Sequence, residues 1–333
     1  MVVLFFGYMP ISVTPLTIED LKAKWPSYQQ SLQSPFPFVM PQWLEAWWAN
    51  FGRNDGLRLF SVESDGQPIG IAPLRVREGV ARFIGSADVC DYLDFIVKPG
   101  AESSFFAAVI NDLKAGEVKM LELESLRPDS MVIRHLLPAV RSIGFAIETT
   151  DTDVTLEMPL PKTWDEYLAG LSTHQRHEIG RKGRRLVEAG DITFDIKPPE
   201  NVESELSTLV QLLRISRADK AEFMTTQMEL FFRQLAAAMH EAGLLRFGRL
   251  SLNGVAVASI MCFDYNGTRY LYNSGYQPQY SSLSVGLLSK VYSIKDAIEQ
   301  ELTIYDYLKG AEVYKYHLGG VELPITSAII RIV

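Results

Sequence analysis

Apolar and polar positions alternate from Leu57 to Leu74 (LRLFSVESDGQPIGIAPL) and again from Leu245 to Cys262 (LRFGRLSLNGVAVASIMC), and each run is broken by an Asp-Gly or Asn-Gly pair. Period-two alternation marks strands, and such a pair between two runs marks a tight hairpin. Gly66 and Gly254 lie 188 residues apart, and at the same spacing Glu78-Gly79 is matched by Asn266-Gly267, each leading into a third strand. Helical spacing precedes both hairpins, at Trp43, Trp47, Trp48 and Phe51 and at Met228, Phe231, Phe232, Leu235 and Met239. After each trio of strands come a helix (Phe105 to Leu113; Leu287 to Ile298) and a strand, KMLELESL from Lys119 against TIYDYLKG from Thr303 at an offset of 184. The predicted order in each copy is helix, three antiparallel strands, helix, strand, helix, strand. The chain therefore reads as a tandem duplication.

The expected fold class is α/β (α+β), with mixed, mostly antiparallel central sheets and domains at 1–160 and 161–333. A mainly helical insertion is expected at about 163–219, with one long helix from Trp164 to Ala189 and a second from Val202 to Arg217. The tryptophans of the first copy are read as core.

Of 333 residues, 47% are hydrophobic and 22% charged, which excludes a disordered or coiled-coil chain. A net charge of −8 argues against a general nucleic-acid binder, so no DNA partner is expected. Cys90 and Cys262 form neither a disulfide framework nor a metal pair, and His135 and His240 have no ligand spacing, so no metal is expected. Met1 to Pro10 is apolar without a signal-peptide pattern, and no run is long enough to span a membrane. A cytoplasmic chain without membrane insertion, with room for a homodimer, is the expectation.

The repeated order is the layout of an acyl-CoA N-acyltransferase domain of the GNAT type, here in tandem. The run SSLSVGLLSKVYSIKDAIEQELTIYDYLKGAEVYKYHLGG resembles the closing region of the CelD/BcsL-like acetyltransferases, bacterial tandem-GNAT proteins linked to exopolysaccharide or cellulose synthesis and related to the FemAB peptidyltransferases. Asp306, Gly310, Glu312, Tyr314 and Lys315 sit where that family carries D-x-x-x-G-x-E-x-Y-K, and LSTHQRHEIGRKGRRLVEAG resembles its basic helix. The resemblance implies two tandem GNAT-like domains, the first degenerate, with acetyl-CoA as co-substrate of the second. GNAT enzymes cradle the CoA diphosphate with Gln/Arg-x-x-Gly-x-Gly/Ala; here Ser281-Ser282-Leu283-Ser284-Val285-Gly286 keeps only the last glycine. Fem-like relatives use aminoacyl-tRNA, which keeps that donor open as an alternative.

A helix start offers free N–H groups and a partial positive charge to an anion. Ser284 is the expected N-cap of a helix from Val285, so Ser282, Leu283, Ser284, Val285, Gly286 and Leu287 are the expected donor-binding residues. The first copy has Glu102 opposite Gly286, a carboxylate that repels a diphosphate. Acyl transfer needs a base for the attacking acceptor and an acid for the leaving thiolate. Asp306 or Glu312 is the candidate base and Tyr314 or Tyr276 the candidate acid. Against these roles stands an internal Lys315–Asp306 or Lys315–Glu312 ion pair. Arg176, Arg181 and Arg185, with Lys315, are the candidate contacts for an anionic acceptor, a small molecule or cell-envelope precursor. The solvated alternative for that helix is balance by Glu166, Glu178 and Glu188. The expected reaction is N- or O-acyl transfer, with two competitors: an aminoacyl-tRNA-dependent ligase, and an idle scaffold or sensor in polysaccharide assembly.

Overall fold

A computed structural model describes residues 11–332. The chain forms two compact units, one from Met1–Thr152 with Pro324–Val333 and one from Asp153–Leu323. The first contains β1 (Ile11–Pro15), α1 (Ile18–Tyr28), α2 (Pro41–Phe51), β2 (Gly56–Ser64), β3 (Gln67–Arg77), β4 (Val80–Phe83), β5 (Ile96–Val97), α3 (Glu102–Ala115), β6 (Met120–Leu126), α4 (Leu137–Ser142) and the start of β7 (Ala146–Pro159). The second adds α5 (Trp164–Gly170), α6 (Thr173–Glu188), β8 (Ile192–Lys197), α7 (Val202–Ser216), α8 (Ala218–Phe223), α9 (Thr226–Glu241), β9 (Leu245–Leu252), β10 (Val255–Tyr265), β11 (Thr268–Tyr276), α10 (Val285–Glu299), β12 (Ile304–Lys309) and α11 (Val313–His317); β13 (Val321–Arg331) ends the chain.

The duplication is complete at the level of pairing. In the first unit the strand order is β1-β2-β3-β4-β6-β13, and in the second β8-β9-β10-β11-β12-β7. In both, every neighbour is antiparallel except the fourth and fifth strands, β4 with β6 and β11 with β12, which run parallel. Both sheets are thus mixed and mostly antiparallel, as expected. Each of the four repeated turns places two successive residues in the left-handed region: Asp65-Gly66, Glu78-Gly79, Asn253-Gly254 and Asn266-Gly267. Such turns twist with the strands they join, and glycine adopts the second position without a Cβ clash.

Three expectations change. The strand that follows the first copy in sequence pairs, through Thr155–Pro159, with β12 of the second unit, while the last strand of the chain pairs with β6 of the first. Alternation along these strands is the same whichever sheet receives them. The helix expected from Trp164 to Ala189 is two helices, because Leu171 is extended and Ser172 starts α6 with a capping box to Gln175. The insertion is also shorter than about 163–219: β8 pairs with β9 as β1 pairs with β2, so β8 and α7 stand where β1 and α1 stand in the first unit, leaving α5 and α6, with the short α8 before α9, as added helices.

Side-chain packing fixes the parts of the second unit that matter below. Arg269 of β11 is fully buried and holds Asp264 directly across on β10 with two bonds of 2.8 and 2.9 Å. The same guanidinium reaches Asp296 Oδ2 at 2.7 Å and the Ser293 carbonyl at 3.1 Å, tying α10 to the sheet. Helix α6 buries only Ile179 and Leu186, the latter against Leu250, Val257, Val285 and Leu288. Among the described residues no helix is long and apolar enough to cross a membrane.

In the first unit Asp94 is buried and accepts the Met131 and Val132 N–H groups at 2.7 and 3.3 Å. Burial pushes its carboxyl up to about 7, against about 4 in an unfolded chain. Between those values the folded unit holds a proton that the unfolded chain has released. The stability this gives is whole below the unfolded value and lost as pH rises through about 7. Four of the five tryptophans lie in this unit, so their fluorescence reports its melting. The melting point is expected to fall from about pH 5 to about pH 8 and Asp94→Asn to lessen that fall; an identical slope in the variant contradicts the assignment.

Candidate active site

Pairing between β11 and β12 covers only Thr268–Tyr270 against Ile304–Asp306. Beyond it β11 continues along β10, with Tyr272 bulged out of register, and leaves its other edge without β12. A cavity of about 540 Å³ lies in the second unit, lined by Ser274 and Tyr276 of β11 and by Val285, Gly286 and Leu287 at the start of α10. Lys182 of α6, Lys220 of α8, Lys290 of α10 and Glu312, Tyr314 and His317 of the following turn and α11 complete its polar wall.

The amide end of α10 opens here, although its local structure differs from expectation. Ser284 is left-handed, at φ 56°, where it closes the turn over Pro278–Leu283, and its side chain makes no cap hydrogen bond. The first N–H groups of α10 are therefore not capped by a side chain. Ser284, Val285, Gly286 and Leu287 line the cavity; Ser282 and Leu283 do not. A β-carbon at Gly286 would lie 3.0 Å from Tyr276 Cδ1, a tight contact that the glycine relieves. The helix starts align Glu102 with Val285, one residue from the alignment with Gly286. Glu102 nonetheless occupies its own helix end, accepting the Gly100 N–H at 3.0 Å, and backbone N–H donors hold its carboxyl low.

The D-x-x-x-G-x-E-x-Y-K residues build one turn. Leu308 sits in the left-handed region at φ 62°, and Asp306 Oδ1 accepts its N–H at 2.8 Å. Asp306, a candidate base, is buried, serves this backbone and does not line the cavity. Gly310 has φ 101°, and a β-carbon there would meet Glu312 Oε2 at 2.6 Å. Lys315, expected to contact acceptor, is buried; its ammonium donates to the carbonyls of Leu308 at 2.9 Å, Gly310 at 3.0 Å and Lys309, and to Glu312 at 2.9 Å. Four oxygens exhaust its donors, so its role is to close the turn. Burial opposes ionisation of Glu312, but the Lys315 hydrogen bond and charge outweigh it and hold the carboxyl below its ordinary value. That makes Glu312 an ionised, weakly basic wall of the cavity. Burial, then the Glu312 charge, keeps the Tyr314 hydroxyl well above its ordinary value, so it remains protonated and able to donate.

The basic helix divides by face. Lys182 shares the inner face with Ile179 and Leu186 and reaches the cavity. Arg176 is half-buried, Arg185 is exposed, and Arg181 spends its guanidinium on Glu178 with two bonds of 2.8 Å. None of the three arginines lines the cavity.

Two lysines were not singled out by the sequence. Lys290 is buried, donates to the Gly286 carbonyl at 2.8 Å and lies 5.1 Å from the centre of the Tyr314 ring. Burial, with the Lys220 charge, lowers its amine to about 7. Lys220 donates to the Ser274 carbonyl at 2.6 Å on the open edge of β11, and burial lowers it to about 8. The one available signal was a lysine inside the apolar pattern of α10.

Comparison with known proteins agrees with this geometry. Residues 173–316 match the family model described as Acetyltransferase (GNAT) domain. No curated protein matches the chain. A crystal structure of FemX is similar over 95% of this chain and 96% of its own, at 13% identity and a TM-score of 0.65. The structure of L-PGS from Bacillus licheniformis is similar over 90% and 94%, at 11% identity and 0.55. A tandem GNAT protein from the clavulanic acid biosynthesis pathway is similar over 96% and 98%, at 12% identity and 0.51.

Lys315→Met tests the turn assignment. Removing the ammonium strands buried carbonyls, and urea unfolding followed at Trp164 is expected to show a loss of about 2–4 kcal/mol from the second unit. Unchanged stability contradicts it and returns Lys315 to a substrate contact. In sequence, residues 173–316 match the GNAT acetyltransferase domain model, and the strand order of the unit that holds them repeats that of the first unit.

Proposed function

We propose that the chain is an acyltransferase that moves an acetyl group from acetyl-CoA to a nitrogen or oxygen of an anionic, sugar- or cell-envelope-related acceptor, in the cytoplasm. One observation carries the reading: the open edge of β11, the uncapped amide end of α10 and a protonated tyrosine meet in a single cavity of the second unit. An extended thioester donor fits this arrangement, its diphosphate at the helix end and its acyl group toward Tyr276 and Tyr314. The acceptor nitrogen or oxygen attacks the thioester carbonyl and gives up its proton to solvent, the new bond to the acceptor forms, the carbon–sulfur bond breaks, and a tyrosine hydroxyl, afterwards reprotonated from solvent, supplies the proton that the thiolate takes. Orientation of the two substrates supplies most of the acceleration. The resemblance of the closing turn to the CelD/BcsL-like proteins supports an acceptor from exopolysaccharide assembly.

A second reading has its own support. The segment Ser281–Gly286 lacks the Gln/Arg-x-x-Gly-x-Gly/Ala cradle and instead forms a tight turn with a left-handed Ser284. That favours a Fem-like, aminoacyl-tRNA-dependent transfer, and the fold likeness to FemX is compatible with it.

Thermal unfolding separates these. A ligand present at about a thousand times its Kd stabilises by about 4 kcal/mol. Millimolar acetyl-CoA acting on a micromolar site is thus expected to raise the melting point of the second unit. A shift with aminoacyl-tRNA but with no acyl-CoA supports the second reading. Silence with both contradicts acyl transfer and favours a scaffold.

A further inference from the structure

The cavity is lined by four cationic side chains, Lys182, Arg217, Lys220 and Lys290, and by one carboxylate, Glu312. Lys182 is near Glu178 at 3.5 Å and Arg217 is paired with Asp219 at 2.8 Å, so both have carboxylate partners. Lys220 and Lys290 differ: each meets a main-chain carbonyl and, among the described residues, no carboxylate at ion-pair distance. Glu312, the carboxylate of the cavity wall, is already engaged by Lys315. Two amines gathered in a partly enclosed space without an anion are costly unless a ligand completes them. Their placement says which ligand. Helical side chains lean toward the helix N-terminus. Lys290 accordingly folds back onto the first turn of α10, its nitrogen 2.8 Å from the Gly286 carbonyl and beside the uncapped end. Lys220 of α8 lines the same cavity and is held to β11 through the Ser274 carbonyl.

We infer that Lys220 and Lys290 form a clamp for a diphosphate, gripping the group that the amide end of α10 attracts and replacing the glycine-rich cradle that Ser281–Gly286 lacks. The inference rests on the reading of this cavity as the donor site and fixes the chemical class of its ligand as a diphosphate ester. A consequence follows for protons. The titratable groups that share the cavity with Lys290 are Lys182 from α6, Arg217 and Lys220 from the α7–α8 junction, Tyr276 from β11, and Glu312, Tyr314 and His317 at α11, with Lys315 and Cys262 acting on it from outside the lining and Asp219 acting on Lys220. Burial is the main cause that lowers the two amines to about 7 and about 8, and the neighbouring cations Arg217, Lys315 and, for Lys290, Lys220 add to it against Glu312 and Asp219. A bound diphosphate favours their charged forms, so binding draws protons from solvent.

Calorimetry of the full chain with inorganic pyrophosphate and with CoA, near pH 7.5 in buffers of different ionisation enthalpy, is the test. Uptake of about one proton per ligand is expected, together with binding at least about tenfold weaker in Lys290→Met and in Lys220→Met. Methionine keeps the length of the side chain without the charge, and an unchanged melting point certifies each variant as folded. Where a variant fails to fold, proton uptake by the unaltered chain decides. Binding without proton uptake, undiminished binding in folded variants, or no pyrophosphate binding at millimolar concentration overturns the clamp. Proton-linked binding of CoA and pyrophosphate with no acyl transfer leaves the clamp standing and removes the acetyltransferase reading instead.

Discussion

Strands β11 and β12 run parallel, and parallel neighbours cannot be joined by a tight turn. The chain between them must cross the sheet, and it does so through α10, whose start lies nine residues beyond Tyr276. Parallel pairing then stops at Tyr270 and Asp306, so the helix start and the free edge of β11 fall at the same place. Arg269, inside that short paired stretch, fixes the arrangement by binding Asp264 on the neighbouring strand and Asp296 on the helix. Left-handed Leu308, held by Asp306, and the Lys315-centred turn form the other wall. The cavity is thus a consequence of connectivity, and its chemistry comes from the residues that happen to face it.

The two copies share this connectivity and differ at the helix end. In the first unit the carboxylate of Glu102 accepts a backbone N–H at the start of α3 and completes the helix dipole from within. In the second, Ser284 caps nothing with its side chain, and Lys290 brings a cation to the same turn. One helix end has an anion built in; the other has an amine beside it and no side-chain cap.

Much of the architecture was legible because it depends on local chemistry. Left-handed turns select Asp-Gly and Asn-Gly, and aromatic residues at helical spacing marked α2 and α9. The exchange of β7 and β13 was not legible, since alternation does not say which sheet a strand joins. Strand β8 escaped because ITFDIK is short and half polar, and the break before α6 because Ser172 and Gln175 lie within a helical pattern. At the site, the start of α10 at Val285 was legible, although Ser284 does not cap it with its side chain as expected. Asp306 and Lys315 stood out as chemistry, yet both are spent on backbone atoms that a sequence does not show to be in need. Lys220 and Lys290 were missed for the converse reason: lysine in a helix reads as solvent-facing unless the fold folds it inward.

The central claim is that a diphosphate belongs at the start of α10 and not at the start of α3. Amide NMR of the labelled chain during titration with CoA reads this directly. The account predicts that the Val285, Gly286 and Leu287 signals move with ligand while Glu102, Ser103 and Ser104 stay in place. Movement confined to the α3 residues, or none at either helix, would contradict it.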